Sequence, residues 1–152
     1  MTSPAVWHHT FVLERTYPVS PARVFQAQVA YDQKRRWFAE GEGFEVLAYT
    51  LDCTPGGAEH ALFKQPDGIV VAYDAQFHEV LPDERIVASY AMAIEGSVIS
   101  VSLATTELVL VPEGTLMRFT EQGAYIGDED QLAGRIEGTE GLLAALGHEL
   151  KR

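Results

Sequence analysis

The sequence predicts an α+β domain in which a curved antiparallel sheet of seven strands wraps around one long carboxy-terminal helix. Turn signals divide the middle of the chain into runs of β-forming residues, and most connections between these runs are too short for crossover helices. Only the last stretch, 128–151, has the periodicity of a long helix. A two-layer arrangement lets the sheet and the helix bury their apolar faces against each other, so a single domain over residues 1–152 is expected.

The amino-terminal part predicts one strand followed by two short helices. Residues 6–16 are rich in β-forming side chains, and the strand ends at Tyr17-Pro18, where proline favours a break. Ser20-Pro21 supplies an N-cap and a proline at the first helical position. A second short helix is expected over residues 32–38 and ends at the turn Gly41-Glu42-Gly43.

Six more strands are predicted between clusters of proline, glycine and acidic residues. Their expected ranges are 44–53, 58–64, 69–80, 85–94, 98–111 and 115–122.

The terminal helix shows one stripe of mainly apolar residues at steps of three and four. The stripe consists of Leu132, Ile136, Thr139, Leu143, Leu146 and Leu150. Asp128 and Gln131 have the spacing of a capping box, which predicts that the helix begins at Asp128.

Glycines interrupt this helix and predict a flat face. Gly134, Gly138, Gly141 and Ala145 are expected about opposite the stripe, on the outside of the molecule. Another backbone could approach there, which makes a homodimer possible. The alternative is an exposed face that merely tolerates glycine.

Alternation within the strands predicts which side chains face the helix. On the strand at 115–122, Met117, Phe119 and Glu121 share one face. A carboxylate on an apolar face must be hydrogen-bonded or shifted in pKa. Glu121 could therefore orient a ligand or act as an acid or base. The alternative is that the strand ends there and the side chain of Glu121 is exposed to solvent.

The net charge of −11 argues against nucleic acid and anionic membrane surfaces as partners, because the overall field repels phosphate. No stretch approaches the length of an apolar membrane span, so a cytoplasmic protein is expected. The only dense basic run, Lys34-Arg35-Arg36, is interpreted as a solvated helix face in preference to a docking patch.

Few chemical motifs are present. The five histidines have no spacing typical of a metal site, and no dinucleotide fingerprint, phosphate loop or nucleophile elbow occurs. Neither a metal nor a cofactor is expected, and no catalytic residue can be named. The single cysteine, Cys53, is interpreted as a small core residue.

Motifs spread along nearly the whole chain carry a resemblance to a known family. They are Phe11-Val-Leu-Glu-Arg-Thr, Ser20-Pro-Ala-Arg-Val-Phe, Arg36-Trp-Phe, Pro55-Gly-Gly, Pro82-Asp-Glu-Arg-Ile-Val, Ser89-Tyr, Gly114-Thr, Thr120-Glu-Gln-Gly-Ala-Tyr, Gly138-Thr and Leu142-Leu-Ala-Ala-Leu. In this order and spacing they resemble the START and Bet v 1-like helix-grip (SRPBCC) superfamily, and within it the bacterial proteins similar to the activator of the heat-shock-protein-ninety ATPase. The chain departs from that branch at Asp52-Cys53-Thr54 and at Gly127, so the role of an arginine usual before the Gly-Gly turn does not carry over.

The resemblance implies a cavity between sheet and helix that holds an apolar or aromatic small molecule. Phase on the strands and the place of Trp37 after the short helices predict its walls, and Glu121 and Tyr125 are expected to orient the ligand. The expected ligand-binding residues are Trp37, Tyr73, Phe77, Tyr90, Met92, Met117, Phe119, Glu121 and Tyr125. Two other functions stay open: an enzyme of the polyketide cyclase or hydrolase type with Glu121 and a tyrosine as polar catalysts, and a co-chaperone-like module.

Overall fold

The computed structural model describes residues 3–41 and 43–152, so Glu42 of the predicted turn lies outside it. All seven strands join one antiparallel sheet in the order β1-β7-β6-β5-β4-β3-β2, which confirms the predicted fold class. The strands are β1 Val6–Tyr17, β2 Glu45–Leu51, β3 Ala58–Lys64, β4 Val70–Leu81, β5 Arg85–Ile94, β6 Ser97–Val111 and β7 Gly114–Ile126. The helices are α1 Pro21–Val29, α2 Tyr31–Lys34 and α3 Gln131–Glu149.

Local chemistry explains two of the tight turns. Glu95 and Gly96 both have positive φ, at 49° and 83°, as the commonest two-residue hairpin turn requires. Gly114 begins β7 at a close approach to β1, since a Cβ added there would lie 2.3 Å from the carbonyl oxygen of Tyr17. These turns fix the register that brings inward side chains of neighbouring strands together.

Three register shifts bend the sheet. They lie in the β2–β3, β4–β5 and β5–β6 ladders, near Val46, Phe77 and Met92. Such irregularities increase local twist and curvature. The sheet therefore has a concave face, and the helices lie on that side.

The two predicted short helices are present, although the second has an unexpected form. Ser20 caps α1 by accepting a hydrogen bond from the Arg23 amide at 3.2 Å, as predicted. After α2 the chain continues as a π-helical turn, Arg35–Ala39. Within that turn the indole of Trp37 donates to the Ala27 carbonyl at 2.8 Å and is thereby fixed in the core.

The terminal helix buries the predicted stripe, but it begins later than predicted. Leu143, Leu146 and Leu150 are buried in the main core. The capping box at Asp128 is wrong, because α3 begins at Gln131. The side-chain amide of Gln131 instead donates from Nε2 to the Ile99 carbonyl at 3.1 Å, which ties the helix start to β6.

The three glycines of the predicted flat face, Gly134, Gly138 and Gly141, are exposed on α3. Gly134 and Gly138 line the space between helix and sheet, and Ala145 packs against the main core. Only Gly141 is exposed without lining that space. A homodimer through this face stays a prediction.

An ion pair between the half-buried Arg36 and the buried Glu149 fastens the end of α3 to the π-helical turn. The guanidinium of Arg36 makes two hydrogen bonds to the Glu149 carboxylate, at 2.9 and 2.7 Å, and Glu149 is 4% exposed. The Arg36 guanidinium lowers the pKa of Glu149 below its ordinary value. Arg36 therefore does not belong to a solvated helix face.

Replacing Leu143 with alanine tests whether α3 is docked as described. Leu143 is 4% exposed, so its truncation should lower the free energy of unfolding by about 2–5 kcal/mol. Urea denaturation measures the change. Leu110, 73% exposed, is the control, and Leu110→Ala should change stability by less than about 0.5 kcal/mol. A loss below about 1 kcal/mol at Leu143 contradicts the docking.

Acid should weaken the protein through Glu149. Its pKa is lower in the folded chain than in the unfolded chain, so the ion pair stabilises the fold above the unfolded pKa. That stability is lost as the pH falls below the ordinary value of 4.5 and through the folded pKa. Glu149→Gln should therefore flatten the fall in unfolding free energy measured by urea melts between about pH 7 and pH 3. The exposed Glu137 supplies the control, because Glu137→Gln should keep the wild-type slope. Equal slopes for all three proteins contradict the assignment.

Candidate functional site

A cavity of about 690 Å³ lies between the concave sheet face and α3. Inward side chains of β3 to β7 form one wall, α3 forms the other, and the π-helical turn closes one end. Most side chains in the walls are aliphatic or aromatic. Four charged side chains, Lys34, Glu59, Glu121 and Arg135, also reach the walls.

Eight of the nine residues predicted for the site line this cavity, and only Tyr125 does not. Tyr125 is 1% exposed and lies behind Glu121, to whose carboxylate its hydroxyl donates at 2.7 Å. Strand alternation thus located the walls, because side chains two apart on a strand share a face. Ligand contact by these residues stays a prediction.

A row of aromatic rings runs along the sheet side of the cavity. The rings of Tyr73 and Tyr90 on neighbouring strands lie 4.8 Å apart, and the Phe38 ring meets Tyr73 at 4.9 Å in an edge-to-face arrangement. Such contacts hold each ring in a fixed orientation. The row presents a rigid apolar surface to the cavity.

Glu121 is fully buried in the middle of β7, so the alternative of a wet strand end is wrong. Its Oε1 accepts a short hydrogen bond from the hydroxyl of Tyr90. Its Oε2 accepts from the hydroxyls of Tyr125 at 2.7 Å and Ser102 at 3.2 Å. The carboxylate is thus held by three hydroxyl groups from three positions on β5, β6 and β7.

Arg135 of α3 completes this polar cluster. Its guanidinium lies 3.3 Å from Glu121 Oε2 and donates to the hydroxyls of Tyr90 at 3.0 Å and Ser100 at 2.8 Å. It also lies over the rings of Tyr90 and Tyr125, 5.7 and 5.3 Å from their centroids. A buried carboxylate is therefore matched by one buried cation across the interface between sheet and helix.

Sequence reasoning missed Arg135, although a signal for it existed. A carboxylate on the apolar face of β7 needs a cationic partner, and α3 covers that face. Arg135 precedes Thr139 of the apolar stripe by one helical turn, so the two share a side of the helix. Arg135 therefore lies on the side of α3 that faces the sheet, where a cation can pair with Glu121.

The tyrosines around Glu121 act as permanent donors. Burial, followed by the charge of Glu121, raises the pKa of Tyr90 well above its ordinary value. Burial and the hydrogen bond to Glu121 do the same for Tyr125. Both hydroxyls keep their protons at physiological pH, so both can donate to Glu121.

A second polar cluster lies at the end of the cavity closed by the π-helical turn. Glu59 is 1% exposed, and its carboxylate accepts from the Lys34 ammonium at 3.2 Å and the Tyr49 hydroxyl at 2.6 Å. The Lys34 ammonium also lies over the rings of Phe38 and Trp37, at 4.7 and 5.3 Å. The prediction of a solvated basic face is therefore wrong for Lys34, which is 8% exposed.

Cys53 and the histidines take no part in the site. Cys53 is half-buried beside the core of β4 and β5, and burial raises the pKa of its thiol to about 11. Within residues 3–41 and 43–152, no three His, Cys, Asp or Glu side chains are grouped so as to hold a metal ion. In the same part of the chain, no helix has the length and apolar character needed to cross a membrane.

Comparison with known proteins places the architecture in a family. The family model described as activator of Hsp90 ATPase homolog 1-like protein matches residues 18–151, as the motifs of the sequence predicted. The chain matches none of the curated proteins with which it was compared.

Several solved structures have the same fold. An uncharacterized protein from Rhizobium leguminosarum is 38% identical, with 99% of each chain covered and a TM-score of 0.95. A Rhizobium loti protein is 46% identical over 95% of this chain and 99% of that one, with a TM-score of 0.88. An AHSA1-like protein from Aeromonas hydrophila shares the fold alone, at 16% identity, coverage of 94% and 92%, and a TM-score of 0.68.

Removing the positive charge of Arg135 tests how much the ion pair with Glu121 contributes to the stability of the fold. Arg135→Met leaves Glu121 buried without its cation, which should lower the unfolding free energy by about 3–5 kcal/mol. Adding Glu121→Gln to that variant should restore part of the loss. Urea melts of the two single variants and the double variant measure the coupling.

An exposed pair supplies the control for this cycle. Arg15 and Glu140 lie 3.8 Å apart with side chains 37% and 50% exposed, so Arg15→Met should cost less than about 1 kcal/mol. Purely additive losses at Arg135 and Glu121 contradict the description of a coupled buried pair.

Proposed function

The chain belongs to the family of activator of Hsp90 ATPase homolog 1-like proteins, and we propose that it binds an apolar or aromatic small molecule between α3 and the sheet. The observation that carries this proposal is the cavity of about 690 Å³. Pockets of roughly 300–1,000 Å³ with apolar walls and a few convergent polar groups are typical small-molecule sites. The proposed ligand-binding residues are the eight predicted residues in its walls, with Tyr125 supporting Glu121 from behind.

The polar cluster favours binding over catalysis. The Glu121 carboxylate accepts hydrogen bonds from Tyr90, Tyr125, Ser102 and Arg135. Both of its oxygens are thus engaged by side chains of the protein, which leaves the carboxylate poorly placed to take a proton from a ligand. We therefore place the cyclase or hydrolase alternative second, and turnover of a bound ligand is the observation that separates it from binding.

A matched pair of substitutions tests whether the cavity is the binding site. Ala104 lines the cavity on β6, whereas Ala91 lies on β5 and does not line it. A ligand at about one hundred times its dissociation constant stabilises a protein by about 2.7 kcal/mol. In a chain of this size that raises the melting temperature by roughly 5–10 °C.

The test uses a panel of uncharged aromatic and lipid-like compounds. The measurement is the shift in melting temperature that each compound causes. Compounds that stabilise the wild type should lose the shift in Ala104→Phe, because the larger side chain occupies the cavity. They should keep the shift in Ala91→Phe. If no compound of the panel stabilises the wild type, or if both variants keep the shift, the proposal is wrong.

A further inference from the structure

The described charges in the cavity walls cancel in two pairs. Lys34 is bound to Glu59, and Arg135 to Glu121, at 3.2 and 3.3 Å. A charged ligand group would have to take a partner away from one of these pairs and leave the other partner buried and unpaired, which is strongly unfavourable. The walls therefore suit an uncharged ligand.

Among the tyrosine hydroxyls at or beside the cavity, that of Tyr73 is available to a ligand. The hydroxyls of Tyr90, Tyr125 and Tyr49 donate to buried carboxylates. The hydroxyl of Tyr73 has no hydrogen-bond partner among residues 3–41 and 43–152, and its ring is fixed between Phe38 and Tyr90.

Burial and the charge of Glu59 raise the pKa of Tyr73 well above its ordinary value. The hydroxyl of Tyr73 therefore keeps its proton and can donate it to an acceptor. Tyr73 is half-buried and lines the cavity, so a ligand oxygen there can accept this hydrogen bond.

Two glycines leave room on the helix side. Gly134 and Gly138 are one turn apart on α3, both line the cavity, and a Cβ added to either would meet no atom within 4 Å. Glycine in a helix interior is less favourable than alanine. Both glycines are exposed residues of the cavity wall, where larger residues would fit and would stabilise the helix.

We propose that the ligand is an uncharged molecule with a carbonyl oxygen, that the Tyr73 hydroxyl donates a hydrogen bond to this oxygen, and that its apolar body lies against Gly134 and Gly138. This inference rests on the proposed function, because it names the class of ligand that the same cavity takes. Tyr73 and the two glycines are specificity-determining residues in this arrangement.

Three related probes separate the contributions of charge and of the carbonyl. Benzophenone is an uncharged ketone, diphenylmethane lacks the oxygen, and 4-benzoylbenzoate adds a carboxylate. Isothermal titration calorimetry should show benzophenone binding about tenfold more tightly than diphenylmethane, since one hydrogen bond to a buried donor is worth about this factor. The carboxylate probe should bind more weakly than benzophenone.

Tyr73→Phe should abolish the preference for the ketone and leave the affinity for diphenylmethane unchanged. Tyr31→Phe removes a hydroxyl that does not line the cavity and should keep the preference. A ketone preference that survives Tyr73→Phe would overturn the assignment of Tyr73.

A leucine at Gly138 tests the second contact. Gly138→Leu should weaken both uncharged probes by at least about tenfold, whereas Gly141→Leu, at a position of the same helix that does not line the cavity, should leave them unchanged. Both changes raise helix propensity, so both variants are expected to fold. Equal effects of the two leucines would overturn the role of Gly138.

The outcomes also separate this inference from the proposed function. Equal binding of benzophenone and diphenylmethane to the wild type, or tighter binding of the carboxylate, overturns the ligand class while binding in the cavity stands. Failure of all three probes to bind overturns the ligand class directly. Failure of the broader apolar panel as well overturns the proposed function.

Discussion

A single helix covers a sheet that is wider than the helix, and this mismatch determines the rest of the structure. A helix with its side chains is about 10 Å across, whereas seven strands at about 4.8 Å spacing span nearly three times that width. The helix α3 packs most closely against β1 and the π-helical turn. Inward side chains of β4 and β5, such as Tyr73 and Tyr90, therefore face open space, and that space is the cavity.

The same geometry explains how charged groups are tolerated beside an apolar cavity. In the cavity walls each carboxylate comes from a strand, and each cation comes from a helical segment: Glu121 meets Arg135 of α3, and Glu59 meets Lys34 of α2. The pairs connect the two layers at places where apolar packing between them is interrupted. They also leave the cavity without net charge, because each cation neutralises one carboxylate. Packing of the layers and selection of an uncharged ligand thus have the same physical origin.

Local patterns determined most of the fold and the sheet side of the site. Turn residues marked the strand ends, and the period of two on each strand placed Tyr73, Met117 and Glu121 on the inner face before any contact was known. The directions of long cationic side chains could not be read in this way, because Lys34 and Arg135 are oriented by partners on distant strands. The start of α3 was misplaced for the same reason, since Gln131 binds β6 and does not cap its own helix. The periodicity of a strand or helix shows which of its side chains share a face. The contacts of Lys34, Arg135 and Gln131 depend instead on how the helices pack on the sheet.

Native mass spectrometry of the protein purified from its own cells tests the central claim most directly. The account predicts that part of the population carries one uncharged small molecule, which is released by collisional activation as a neutral loss. It also predicts that this mass is absent from Ala104→Phe and present in Ala91→Phe, purified in the same way. A wild-type protein that has only the mass of the bare chain, or an adduct that Ala104→Phe retains in full, would contradict the account.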